Sequence, residues 1–75
     1  MPLQAVFHKT LVRPPCVRSF EITLAAGTGW QVFERKDQDV VRQHFGDWHR
    51  VERVATRLAQ DVAALQRDGW EEFPN

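Results

Sequence analysis

The run Phe20-Glu21-Ile22-Thr23-Leu24-Ala25-Ala26-Gly27-Thr28-Gly29-Trp30-Gln31-Val32-Phe33-Glu34-Arg35 decides how this chain folds. Phe20, Ile22 and Leu24 alternate with Glu21 and Thr23, so Val17–Leu24 reads as a strand with one apolar and one polar face. The glycine-rich loop Ala26-Gly27-Thr28-Gly29 lets the next strand, Trp30–Lys36, fold back with Leu24 opposite Trp30 and Ile22 opposite Val32. A second turn, centred on Asp37-Gln38, sets Glu34 opposite Val41 and Trp30 opposite Phe45. The two registers agree. Phe20, Ile22, Leu24, Trp30, Val32, Val41 and Phe45 share one face, and a slip of one residue would scatter them.

Upstream, Pro14-Pro15 interrupts the chain. Gln4–Val12 reads either as a strand closing over that turn or as a loosely held terminal arm. As a strand it sets Phe7 opposite Ile22 and Leu11 opposite Arg18, and adds Ala5, Phe7 and Leu11 to the apolar face. Downstream of Asp47 the apolar period changes from two to about 3.6, the helical period. Trp48, Val51, Ala55, Leu58, Val62 and Leu65 form one stripe. Asp47 is suited to cap the helix N-terminus, and Gly69 with Trp70 fits a Schellman ending whose apolar contact is Leu65. The spacing predicts a helix over 48–68. The fold class is therefore α+β: a four-stranded antiparallel meander with one long C-terminal helix on one face. The other sheet face has no second layer within the chain.

With 75 residues, the sequence reads as a single domain, 1–75. Ten Lys and Arg balance ten Asp and Glu, which argues against a strongly basic nucleic-acid binder. A hydrophobic content of 43% against 27% charged residues excludes a disordered or fibrous chain. Cys16 is the single cysteine, so an internal disulfide framework and a cysteine-based zinc site are excluded. No apolar run approaches the roughly 18 residues of a membrane span, and no secretory leader pattern follows Met1. Cytoplasmic location without membrane association is the expectation.

The open sheet face is the first place to look for function. By the pairing above it carries Ser19, Glu21, Thr23, Gln31, Phe33, Arg35, Val40, Arg42 and His44, joined by Val6, His8 and Val12 if the first strand forms. Phe33 lies opposite Arg42, and Arg35 opposite Val40. Phe33, Arg35, Val40, Arg42 and His44 form the candidate interaction face, fitted to a second copy of the chain in a homodimer or to another protein. The same aromatic beside arginines could stack a base and hold phosphate, so nucleic acid is the alternative partner. A solvated cross-strand cation–π pair is the plain reading. Arg50, Arg53 and Arg57 form one stripe on the outer helix face, the alternative set of nucleic-acid contacts. Arg57 has Asp61 four residues on, whereas Arg50 and Arg53 have no acidic residue at that spacing.

No catalytic constellation is visible. His44, Asp47 and His49 are chemically fit for a metal, but His44 points to the open face while Asp47 caps the helix, so no metal or cofactor is expected. Cys16 stands in a turn, with His8 the nearest imidazole across the hairpin, and His8 faces Glu21 as a surface pair. The loop Gly27-Thr28-Gly29-Trp30 lacks the Gly-Lys-Ser/Thr ending of a phosphate loop and leads into a strand. The expected role is that of a non-enzymatic interaction module.

The segments Gly29-Trp30-Gln31-Val32-Phe33-Glu34-Arg35 and Asp47-Trp48-His49-Arg50-Val51-Glu52-Arg53, with the closing Gly69-Trp70, resemble a group of small bacterial proteins to which no activity is attached. The resemblance spans roughly residues 20 to 70. It implies a self-contained bacterial protein and transfers no functional residue.

Overall fold

The computed structural model describes residues 5–25 and 27–73. Its elements follow in the order β1 (Ala5–Arg13), β2 (Cys16–Leu24), β3 (Trp30–Lys36), β4 (Asp39–Phe45), α1 (Trp48–Arg67) and β5 (Glu71–Glu72). The strands form one antiparallel sheet in the order β4-β3-β2-β1-β5. The first segment is thus a strand and not an arm; Gln4, where the sequence reading began it, lies outside the described residues.

The registers match the alternation pattern. Phe7 faces Ile22 and Leu11 faces Arg18; Ile22 faces Val32 and Leu24 faces Trp30; Glu34 faces Val41 and Trp30 faces Phe45. One irregularity interrupts β1, where the register shifts between Ala5, paired with Thr23, and Phe7, paired with Ile22. The expected place of the Ala5 side chain on the core face falls outside what is described of this residue. Asp37 turns the β3–β4 hairpin with φ of 55° and ties it to β2. Its N–H donates to the Val17 carbonyl at 2.9 Å, and its Oδ1 accepts from the Val17 N–H at 3.0 Å. Asp suits this position because its short polar side chain tolerates the left-handed region and bonds locally.

Helix α1 begins and ends as its sequence dictates. Asp47 is extended, and its Oδ1 accepts from the His49 N–H at 2.9 Å. At the other end the Trp70 N–H donates to the Leu65 carbonyl and the Gly69 N–H to the Gln66 carbonyl, with Gly69 at φ of 99°. Those two bonds define a Schellman ending, and Leu65 and Trp70 both pack against the core beside it. The chain then returns along β1, where Leu11 pairs with Glu72 and Val12 with Glu71.

The core lies between α1 and the middle of the sheet: Leu11, Phe20, Ile22 and Val32 from the strands meet Val51, Leu58 and Val62 from the helix. Phe7, Trp30 and Phe45 close its sheet side. Two residues assigned to this core are not in it. Val41 is 52% exposed and Leu24 is 47% exposed, although both stand on the helix-bearing side. One helix is only about 10 Å wide, about two strand spacings, and cannot roof the whole sheet. The row Lys9, Phe20, Glu34, Val41 shows where cover ends. Phe20 is fully buried, Glu34 reaches up to Arg57 on α1 at 2.8 Å, and Val41 lies one strand further out.

Candidate interaction face

Alternation along each strand builds the sheet surface opposite α1 from residues that the core does not use. Across β1 to β4 one row reads His8, Glu21, Phe33, Arg42, and the next reads Thr10, Ser19, Arg35, Val40. Among the described residues no element packs on this side of the sheet. All five residues of the candidate face stand on it: Phe33 and Arg35 from β3, and Val40, Arg42 and His44 from β4.

The structure shows what each is doing. The Arg42 guanidinium carbon lies 5.6 Å from the centre of the Phe33 ring, a cation–π pair that leaves Phe33 half-buried and Arg42 exposed. Glu21, on the other side of Phe33, stands 3.6 Å from His8 Nε2. A shallow hollow around Phe33 is lined by Glu21, Thr23, Gln31 and Arg42. Arg35 Nε donates to the Asp37 carbonyl at 2.7 Å, so this arginine braces the β3–β4 turn. His44 Nε2 lies 2.9 Å from the Thr28 carbonyl oxygen and anchors the β2–β3 loop. Gly29 in that loop has φ of 85°, and a Cβ there would stand 2.5 Å from the Phe45 carbonyl oxygen; glycine alone lets the loop lie so close to β4. Val40 carries no such duty and is about half exposed, as is Val6.

The sequence reading missed a contribution from the end of the chain. The Phe73 N–H donates to the Thr10 carbonyl at 2.8 Å, which continues the β5 register and sets Phe73 opposite Thr10. Phe73 is about half exposed and adds an aromatic ring to the margin of the open face. Glu71-Glu72 carries no apolar alternation that would mark a strand; the only signal is the Schellman ending, which turns the chain back toward the sheet.

On the outer helix face the three arginines differ. Arg57 donates to Glu34 at 2.8 Å and to Asp61 at 3.4 Å. The hydrogen bond it donates to Glu34, aided by the charges of Glu34 and Asp61, holds its pKa above the ordinary value against an opposing effect of burial. Arg50 and Arg53 are exposed and form no ion pair among the described residues. Arg18, on the core side, stacks its guanidinium 5.2 Å from the Phe20 ring centre.

No helix among the described residues is long and apolar enough to cross a membrane. The chain matches no protein-family model, no curated protein and no solved structure.

Proposed function

We propose that this protein is a small non-enzymatic interaction module that uses its open sheet face to bind protein, a second copy of itself first among the partners. The observation that carries this reading is the single-layered sheet, whose unroofed side presents Phe33, Val40 and Phe73 among polar and charged side chains. Phe33 stands on an inner strand, with Val40 on the edge strand and Phe73 at the opposite margin, so exposed apolar groups lie across the whole width of a polar face. Phe33 supplies a rigid anchor near the middle, with Glu21 and Arg42 placed to pair across the contact.

Nucleic acid is the second reading, favoured by the unpaired Arg50 and Arg53 and by the aromatic beside Arg42. Three features weigh against it. Arg42 already covers the Phe33 ring, where a base would stack; Glu21 beside that ring opposes phosphate; Arg57 is engaged by two carboxylates.

Sedimentation equilibrium of the wild type and of Phe33→Ala tests the first reading. A dimer with Kd on the order of 10 μM, weakened by about tenfold or more in Phe33→Ala, is the expected result. A species of 8.7 kDa at every concentration up to about 100 μM refutes self-association through this face. Fluorescence titration with single- and double-stranded oligonucleotides at two salt concentrations tests the second. Salt-sensitive binding lost in Arg42→Glu would establish it in place of the first.

A further inference from the structure

The two edges of the sheet are built differently. At one edge the outer side of β1 is covered over Thr10–Val12 by β5 and Phe73, and Lys9 pairs with Glu72 beside it. At the other edge stands β4, seven residues long, with β3 as its sole neighbour among the described residues. Its pairing with β3 runs without a register shift from Lys36↔Asp39 to Trp30↔Phe45. It contains no proline, and its charged side chains are Asp39 and Arg42. Proteins ordinarily guard such an edge with a bulge, a proline, charged side chains or a covering segment, and of these β4 has only its two charges.

The direction of the backbone groups on β4 follows from the bonds already fixed. The Ala25 N–H donates to the Gly29 carbonyl at 3.0 Å, so alternation gives Gln31, Phe33 and Arg35 to β2 and Trp30, Val32, Glu34 and Lys36 to β4. On β4, Asp39, Val41, Gln43 and Phe45 therefore bond inward, and the N–H and C=O groups of Val40, Arg42 and His44 point out of the sheet. The Thr10 carbonyl at the opposite edge, which accepts from Phe73, points outward by the same count.

We infer that β4 pairs antiparallel with β4 of a second copy, joining two sheets edge to edge about a two-fold axis. This rests on the self-association reading above and adds the β4 edge as a contact surface distinct from the open face. An antiparallel pair of identical strands places the axis perpendicular to the sheet, so residues of equal parity meet and both helices lie on the same side. Full overlap of the strands would set Arg42 against Arg42 of the partner subunit, like charges directly opposed. The register shifted by two residues avoids this: Val41 meets the partner's Val41 on the axis, and Val40 meets the partner's Arg42. The outward groups of Val40 and Arg42 then supply the inter-copy hydrogen bonds. Val41 is 52% exposed because α1 stops short of it, so the helix does not obstruct the edge. The pairing covers Val41, one of the two strand residues, with Leu24, that the helix leaves about half exposed on its side. A contact of this size belongs to the weak class below about 1,200 Å².

Val41 and Phe33 lie on opposite sides of the sheet, so substitutions separate edge pairing from face packing. Sedimentation equilibrium is run on the wild type, Val41→Lys, Val41→Glu, their equimolar mixture, and Phe33→Ala, with thermal melting to confirm that each is folded. Expected are a wild-type dimer, at least about tenfold weaker association for each charged variant alone from like charges on the axis, and restored association in the mixture. The Val40 and Arg42 amides gain hydrogen-exchange protection as wild-type concentration rises. Dimerisation of Val41→Lys at wild-type strength overturns edge pairing; if Phe33→Ala alone dissociates the dimer, the face reading stands without it. A mixture no tighter than its components, or a wild type that stays monomeric, also overturns the β4–β4 pairing.

Discussion

Ile22 and Val41 share one side of the sheet, yet Ile22 is fully buried between Phe7 and Val32 whereas Val41 is half in solvent. That contrast predicts a graded series. Removing one methylene in Ile22→Val should cost about 0.5–1.5 kcal/mol, and Ile22→Ala about 2–5 kcal/mol, because the vacated space lies under α1 with little room to collapse. Ile22→Asp adds the several kcal/mol of an unpaired carboxylate held in an apolar site. A chain of 75 residues has a total stability of about 4–11 kcal/mol, so Ile22→Asp should be largely unfolded at room temperature. With an unfolding entropy of about 2.1 cal/mol/K per residue, each kcal/mol moves Tm by about 6 °C, and Ile22→Ala should melt about 12–30 °C below wild type. The assay is thermal melting and urea unfolding followed by far-ultraviolet circular dichroism at low micromolar protein. Val41→Asp is the companion measurement and should stay within about 0.5 kcal/mol, as surface substitutions usually do. An Ile22→Asp protein with the wild-type Tm would refute the core described above. An equally severe loss in Val41→Asp would refute the boundary of helix cover.

Gly29→Ala should lose about 2 kcal/mol or more, since the new Cβ would press on the Phe45 carbonyl at 2.5 Å and the His44 ring at 2.9 Å in a backbone region that side chains avoid; urea unfolding reads it directly. Asp47→Ala should cost about 1 kcal/mol through loss of the cap to the His49 N–H, with Asp47→Ser recovering most of it in the same assay. Arg57→Ala should cost about 0.2–1 kcal/mol in spite of its two carboxylate partners, because the side chain is 51% exposed, and melting at low and high salt should show the loss shrinking as salt rises.

The strand registers were legible because the period of alternation is two and three segments had to agree on one face. The helix was legible because its stripe, its Asp47 cap and its Gly69-Trp70 ending each mark it independently. What alternation does not carry is extent. It assigns Val41 and Leu24 to the helix side of the sheet, but only the position of α1 decides that the cover stops at Glu34. Strand β5 escaped for the opposite reason: two glutamates have no apolar face to read, and they enter the sheet because the Schellman ending delivers them to the edge of β1. On the open face, placement of Phe33, Arg35, Val40, Arg42 and His44 was readable from register, but their engagements were not. The bonds from Arg35 to the Asp37 carbonyl and between His44 and the Thr28 carbonyl join side chains to loop backbone, and loop conformation has no periodic signature. Likewise, Asp61 was foreseeable as a partner of Arg57 from i,i+4 spacing, whereas Glu34 lies 23 residues away and depends on how the helix crosses the sheet.

The tryptophans give this small protein its own optical instrumentation. Trp30 at the start of β3 and Trp48 at the first turn of α1 have ring centres 5.2 Å apart and planes inclined at 51°. Two indoles so close and so tilted couple their electronic transitions, and that coupling vanishes as soon as the front of the helix lifts from the sheet. Trp70 stands at the far end, packed against the core beside Leu65. A pairwise exciton signal therefore reports docking at the front of the helix, and emission from Trp70 reports closure at the rear. Comparing the two during unfolding distinguishes a helix that leaves the sheet as one rigid body from one that peels away from either end.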